Sequence, residues 1–374
     1  MGEKPTLSIC IPTYNRAAKL NNTLGEISRE IRGLSGKVEI CISDNCSSDN
    51  TQQVIAKWKK ILHVSSRKNS TNMGYDANAA LALQLANGKF AMFSGDDDSL
   101  VPGSIARLVA DLSKHDGSGM GAVYLNSLKC GSPQTAFGFS DFRVFPKNSR
   151  GYSPISLSFG GAVCVRTEIA KKIMRKKLYF ENNRLCKRED DKFLLFDFIH
   201  TYLFLECASS AGSFGVEPSC VVEVQGRGQS ISITKRFYFD LVFNIYYMQL
   251  RKSYPWMREA MFLDEGGIAR HILRRYAALS YMLTIHPELS DAFLSNFNLS
   301  LKILQMENHL LLARLLGMIE PVRRAGLLDW PAASCVKIYR HLSGRKDFLS
   351  ENIDNIGTPP KAVEDLFARA KKYA

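Results

Sequence analysis

No run of about 18 apolar residues occurs anywhere in the chain, so the sequence offers no helix able to cross a bilayer. The stretch Met1 to Pro5 lacks the apolar core of a signal peptide, although Met1-Gly2-Glu3-Lys4-Pro5-Thr6 fits a short N-myristoylation pattern. Cysteine is present but unorganised: the nine cysteines include no CxxC pair and have the spacing of neither a zinc site nor a disulfide framework. Cys10, Cys41 and Cys164 lie inside apolar runs, where a thiol acts as a small hydrophobe, and a reducing cytoplasm is the expected setting. No GxGxxG follows the first strand, and no GxxxxGK followed by Ser or Thr occurs, which argues against dinucleotide and P-loop sites. Acidic residues are scarce, with 36 Asp and Glu against 49 Lys and Arg and a net charge of +13. That surplus calls for an anionic partner. The basic residues are dispersed, without an aromatic and basic stripe, so no nucleic-acid partner is expected. A nucleotide, a phosphorylated lipid or an anionic membrane surface remains.

The apolar share of 45% and charged share of 23% are those of a globular chain, and 374 residues suffice for two lobes. The stretch that organises the reading is Phe90-Ala91-Met92-Phe93-Ser94-Gly95-Asp96-Asp97-Asp98-Ser99-Leu100. Its apolar start predicts a buried strand, and the three aspartates follow where that strand leaves its sheet. In open α/β sheets this is the edge at which ligands bind. Adjacent carboxylates repel one another, and a divalent cation relieves the repulsion while keeping coordination positions for phosphates. A solvated acidic turn capping the next helix is the plainer reading of the same residues.

The pattern around that stretch alternates strand and helix. Leu7 to Ile11 predicts a strand, followed by the turn Pro12-Thr13-Tyr14-Asn15-Arg16 and a helix carrying Leu20, Leu24, Ile27 and Ile31. Val38 to Ile42 predicts a second strand that ends at Ser43-Asp44-Asn45, with a helix through Val54, Ile55 and Trp58 beyond it. A short strand near Val64, a small-residue helix from Tyr75 to Ala86, a helix through Ile105 and Leu112, and a strand from Ala122 to Leu125 complete this half. The expected architecture is α/β, with a mostly parallel sheet covered by helices on both faces. Tyr14 and Asp44 then fall at the same sheet edge as the aspartates, where a ring stacks on a base and a carboxylate accepts from a base N–H.

These residues together resemble the family 2 glycosyltransferases of GT-A fold. The resemblance is carried by Ile9 to Arg16, Glu39 to Thr51, Asn72-Met73-Gly74 and Gly95 to Pro102, in matching order and spacing. It implies that Pro12, Thr13, Tyr14, Arg16, Asp44, Asn72, Asp96 and Asp97 line a nucleotide-sugar. It further implies that Asp98, paired with Asp96 or Asp97, carries Mn²⁺ or Mg²⁺. Many members have Asp where this chain has Gly95; the Gly-Asp-Asp-Asp variant resembles abequosyltransferase-like enzymes of O-antigen and polysaccharide synthesis. Ser158 to Arg166, with Gly160 and Gly161, resembles the family's glycine-containing strand below the donor sugar. Glu189-Asp190-Asp191 resembles the acidic motif opening an acceptor-side helix, where an aspartate (Asp190, then Asp191) serves inverting members as general base. The polar loop from Gln225 to Ser232 resembles the loop that closes over the donor in relatives, and Arg227 within it is a candidate to reach the diphosphate.

From Arg236 onward the periodicity becomes helical, as in Phe239, Val242, Phe243, Tyr246 and Leu250. The expected division is a transferase domain over 1–235, with a donor half 1–126 and an acceptor half 127–235, and a helical appendage over 236–374. Leu310 to Ile319, followed by Arg323 and Arg324, suits an anionic membrane interface; a core helix or a contact between copies in a homo-oligomer suits the same pattern. The function the resemblance implies is inverting transfer of a sugar to a glycan or lipid-linked glycan, in bacterial surface polysaccharide synthesis, in the cytoplasm or on the cytoplasmic face of the inner membrane. A nucleotidyltransferase and a non-catalytic nucleotide-sugar-binding scaffold are the competing expectations. The first would need a glycine-rich loop where Pro12 to Arg16 stand.

Overall fold

The computed structural model describes residues 3–224, apart from 130, 134, 148, 150–159, 182–183 and 188–198, together with Tyr254. The chain divides into two compact units, Met1–Gly226 and Arg227–Ala374, and every element below belongs to the first. The expected appendage, the Glu189-Asp190-Asp191 run and Arg227 lie outside the described residues.

Leu7 to Thr13 is apolar without alternation, as a strand buried on both faces must be. It forms β1 (Leu7–Thr13), and β2 (Val38–Asp44) reads the same way; every residue of both is buried. Between them α1 (Ala17–Glu30) turns Leu20, Leu24 and Ile27 inward at helical spacing. After β2 come α2 (Thr51–Trp58), β3 (Val64–Lys68), α3 (Gly74–Leu85) and β4 (Phe90–Phe93). α3 is buried nearly all round because its small side chains pack on β1 and β2 on one side and reach other helices on the other. The chain continues through β5 (Ser99–Leu100), α4 (Ser104–Lys114), β6 (Ala122–Lys129), β7 (Ser132–Pro133), β8 (Arg143–Pro146) and β9 (Val163–Arg166). It then forms α5 (Thr167–Lys177), the hairpin β10 (Leu178–Glu181) and β11 (Arg184–Lys187), α6 (Ile199–Ala211) and β12 (Ser213–Val224).

The main sheet runs β3-β2-β1-β4-β9-β6-β12-β5, with β7 beside β6 and β8 beside β12. The long ladders β1–β2 and β6–β12 are parallel, as are β2–β3 and β1–β4. β9 runs antiparallel to both β4 and β6 and joins the two parallel halves. The expected α/β architecture is thus present, with antiparallel strands at its middle and margin. The chain builds outward from β1 through β2 to β3, then returns to place β4 on the other side of β1. This reversal opens a crevice beyond the ends of β1 and β4.

One local correction follows from side-chain size. Within the strand expected over Ser158 to Arg166, the described residues form a tight 3-10 turn at Gly160–Ala162 before β9 starts at Val163. Consecutive glycines contribute no side chains to a pleated face. The register of the 12-residue β12 to β6 shifts between Glu217 and Val222. Pro218 lies in that shift, where its missing N–H removes no ladder bond. Close packing fixes Gly121 at the start of β6: a Cβ there would stand 2.0 Å from the Cys207 carbonyl oxygen of α6. Among the described residues no helix is long and apolar enough to cross a membrane.

Candidate active site

Three loops meet beyond the carboxyl ends of β1, β2 and β4. The first two are laced together by short polar side chains. Asn15 takes a left-handed conformation (φ 52°), which asparagine tolerates better than most residues. Its N–H donates to Ser47 Oγ at 2.8 Å, and its Oδ1 accepts from the Ser48 N–H at 2.8 Å. Asp49 accepts from the Ala17 N–H at 2.9 Å and from the Thr51 hydroxyl at 2.5 Å, so one carboxylate caps the starts of both α1 and α2. Burial works to raise the Asp49 carboxyl, but these bonds outweigh it and hold it below its ordinary value.

Asn45 ties in the loop before α3. Its Oδ1 accepts from the Met73 N–H at 2.8 Å and from Asn69 at 3.3 Å, and its Nδ2 donates to Asn72 Oδ1 at 2.7 Å. Asn69 also donates to Asn78 Oδ1 at 3.0 Å, and Asn78 donates to the Thr13 carbonyl at 3.3 Å. Four asparagines thereby connect α3 to the end of β1.

The turn after β4 is built from charge. Thr13 Oγ1 donates to Asp96 Oδ2 at 2.7 Å, and Arg16 donates to Asp96 Oδ1 at 2.9 Å. Arg16 also reaches Asp97 Oδ2 at 3.1 Å, and Lys19 reaches the same oxygen at 3.0 Å. Thr23 Oγ1 donates to the Asp96 carbonyl at 3.1 Å. Burial raises the Asp96 carboxyl above its ordinary value, although Thr13 and Arg16 pull the other way. Burial, and after it the charge of Asp97, push Asp98 up to about 7. Asp98 folds back over Gly95: a Cβ on that glycine would stand 2.4 Å from Asp98 Oδ2. The absence of a side chain at Gly95 is therefore what gives the Asp98 carboxylate its seat.

These loops enclose a cleft of about 550 Å³, a size suited to a nucleotide-scale ligand. Of the residues named from sequence, Pro12, Thr13, Tyr14, Arg16, Asn72, Asp96, Asp97 and Asp98 line it together. Asp44 lies at the same edge but is wholly buried; it accepts from the Ser47 N–H at 2.9 Å and from Gln52. Its carboxylate is occupied by an Asx turn and the first turn of α2. Among the described residues no three His, Cys, Asp or Glu side chains converge as a metal cage. The cleft also takes Gly161, from the run expected below the donor sugar, and Asn45, Gly74, Tyr75, Asn78 and Gly95, which the sequence reading did not assign to the site. Asn78 had a visible signal, a carboxamide within the apolar run of α3; Tyr75 had none, since an aromatic ring at a helix start is ordinary.

Residues 8–173 match the family model described as "Glycosyl transferase family 2". Among curated proteins, the chain is 39% identical over 104 residues to the abequosyltransferase RfbV of Salmonella typhimurium, covering 27% of this chain and 31% of that protein. It is 32% identical over 110 residues to the GalNAc(5)-diNAcBac-PP-undecaprenol beta-1,3-glucosyltransferase of Campylobacter jejuni, covering 28% of this chain and 34% of the relative. The matches thus span about a third of the length of these relatives. Among solved structures, TarS of S. aureus superposes with a TM-score of 0.54 at 16% identity, covering 91% of this chain and 55% of TarS. TarS 1–349 in complex with UDP-GlcNAc superposes with a TM-score of 0.53 at 15% identity, covering 91% and 90%. At these identities the likeness concerns the fold, which is that of GT-A glycosyltransferases.

Proposed function

Because residues 8–173 carry a glycosyl transferase family 2 domain, we propose that the chain transfers a sugar, with inversion, from a nucleotide-sugar to a glycan or lipid-linked glycan. The observation that carries this reading is the cleft at the β1–β4 crevice, where Thr13, Arg16 and the Asp96-Asp97-Asp98 turn meet below Tyr14. In this reading the transferase domain is 1–235 and residues 236–374 are a helical appendage.

Tyr14, with 43% of its surface exposed, offers a ring for the base, and Asp44 braces the turn beside it. Arg16 and Lys19 supply N–H donors for the diphosphate; their shared partner Asp97 has a side chain 31% exposed, where phosphate oxygens can take its place, while Arg16 also holds the buried Asp96. The donor set suits a divalent cation. Successive carboxylates are hard oxygen ligands, of the kind that hold such an ion with phosphates completing its shell. Asp98 with Asp96 or Asp97 would hold it. When bound, Mn²⁺ or Mg²⁺ supplies positive charge to the departing nucleoside diphosphate. Asp190, with Asp191 and Glu189 beside it, takes the proton of the acceptor hydroxyl, and Arg227 adds charge at the diphosphate.

The relatives support the acceptor class: one is named for a polyprenol-diphosphate-linked glycan and another, TarS, for poly(ribitol-phosphate). A surface-polysaccharide role, peripheral contact with an anionic membrane and a cytoplasmic-face location follow from that class. The test is turnover of a nucleotide-sugar panel with polyprenol-linked acceptors, reading product anomer by NMR. An inverted anomer, lost in Asp190→Asn while donor binding persists, is the expected result. Donor binding without turnover under any acceptor would leave a scaffold instead.

A further inference from the structure

Four large hydrophobic side chains are exposed among the described residues, Tyr14, Ile61, Tyr75 and Phe180, and two of them, Tyr14 and Tyr75, line the cleft. They come from different places. Tyr14 follows β1 on the loop laced to the end of β2. Tyr75 is the second residue of α3 and is 37% exposed. Its ring meets that of His200 edge-on, with centroids 6.4 Å apart and planes at 82°. His200 in turn meets Phe93, the last residue of β4, at 6.5 Å and 61°. His200 and Phe93 are both buried, so the contacts run from the cleft wall to the end of β4. Asp76, next to Tyr75, accepts the Ile199 N–H at 2.9 Å and ties the first turn of α3 to the first turn of α6. β4 neighbours β9, whose leading turn contributes Gly161 to the same cleft. Tyr75 thus stands toward β4 and β9, while Tyr14 stands toward β2.

We infer that Tyr75 is a sugar-contacting residue whose ring stacks on the C–H face of the pyranose carried by the nucleotide, and that His200 is the positioning residue holding that ring. The inference rests on the donor-cleft reading above. A pyranose presents apolar C–H faces between polar edges, and an aromatic ring 37% exposed in the wall of the cleft suits such a surface. Gly161, which lines the same cleft, adds no side chain there. An acceptor pyranose has the same chemistry, and the choice of probe separates the two sources.

The experiment is calorimetry on the full chain with Mn²⁺, using UDP, GDP, CDP and dTDP and then hexose and deoxyhexose conjugates of whichever diphosphate binds. Tyr75→Ala is expected to weaken the conjugate about five- to tenfold while leaving the free diphosphate within about twofold. Tyr75→Phe keeps the ring and retains both affinities. His200→Ala shows the same selective loss to a smaller degree, and His200→Phe restores it by keeping an edge-on aromatic partner. Equal weakening of diphosphate and conjugate, no change in either, or a loss in Tyr75→Phe matching that in Tyr75→Ala would each overturn the inference while the donor site stands; the unchanged case would move Tyr75 to the acceptor. Failure of the wild type to bind any diphosphate would instead remove the donor-cleft reading, and the inference with it.

Discussion

The loop before α3 is tied to the ends of β1 and β2 by neutral amides, whereas the turn after β4 is held largely by charged side chains. Asn45, Asn69, Asn72 and Asn78 bond to one another and to nearby backbone groups without exposing a net charge. Asp96, Asp97 and Asp98 face Arg16 and Lys19, whose side chains are 43% and 49% exposed. A buried neutral network is rigid because each lost partner strands another polar group. The pairs made by the part-exposed Asp97 contribute little to stability and exchange partners readily, while Asp96 stays buried on Thr13 and Arg16. The amide wall therefore sets the shape of the cleft, and the charged turn stays available to a ligand.

The sharpest way to separate the two is to remove Asp98. Asp98→Ala should cut turnover on the order of 100-fold, the scale of losing a group that stabilises transition-state charge. Its resistance to urea should be unchanged, or raised above pH 7, because a buried carboxyl raised to about 7 must ionise there at a cost. A large loss of stability would place Asp98 in the scaffold. Asn45→Ala tests the opposite wall. It strands the Met73 N–H and takes one bond each from Asn69 and Asn72, and urea unfolding should show a loss of about 1–3 kcal/mol.

Glu217 is a control away from the cleft. It is a buried carboxyl beside Asp111, and Arg107 Nε stands 4.0 Å away. Burial is the main cause that raises it from 4.5 to about 7. The folded state then binds more protons than the unfolded state between those values, so stability falls as pH rises from about 4.5 to about 7. Glu217→Gln should flatten that slope and gain about 1–2 kcal/mol above pH 7, read by urea unfolding across pH. An unchanged slope would assign the pH dependence elsewhere. The smallest effect belongs to Lys19→Ala, whose partner Asp97 is part-exposed and keeps Arg16, with a stability change below about 1 kcal/mol. It should nonetheless weaken a nucleoside diphosphate about tenfold by calorimetry.

The contrast also marks what a one-dimensional reading can reach. β1, β2 and β4 were legible because strands buried on both faces leave unbroken apolar runs, and their polar ends mark the sheet edge. The charged turn was legible in part: three aspartates at a strand end mark the ligand edge of the sheet, although a solvated acidic turn has the same sequence. The antiparallel direction of β9 was not, because local periodicity carries no strand direction; Gly160 and Gly161 ended the strand where a longer one was expected. The amide wall was half legible. Asn45 and Asn72 stand in the family motif, but their partnership depends on loops 27 residues apart meeting over β1. Tyr75 reaches the site only through the packing of α3 against β1 and β2.

The central claim is that the charged turn and the β1 edge form a metal-assisted nucleotide site. Its most direct measurement is calorimetric titration of UDP, GDP, CDP and dTDP, with Mn²⁺ and then with EDTA, on wild type and Asp98→Ala. The account predicts tight binding of one diphosphate that requires Mn²⁺ and is lost in Asp98→Ala. No binding of any diphosphate with Mn²⁺, or binding indifferent to both the metal and Asp98, would contradict it.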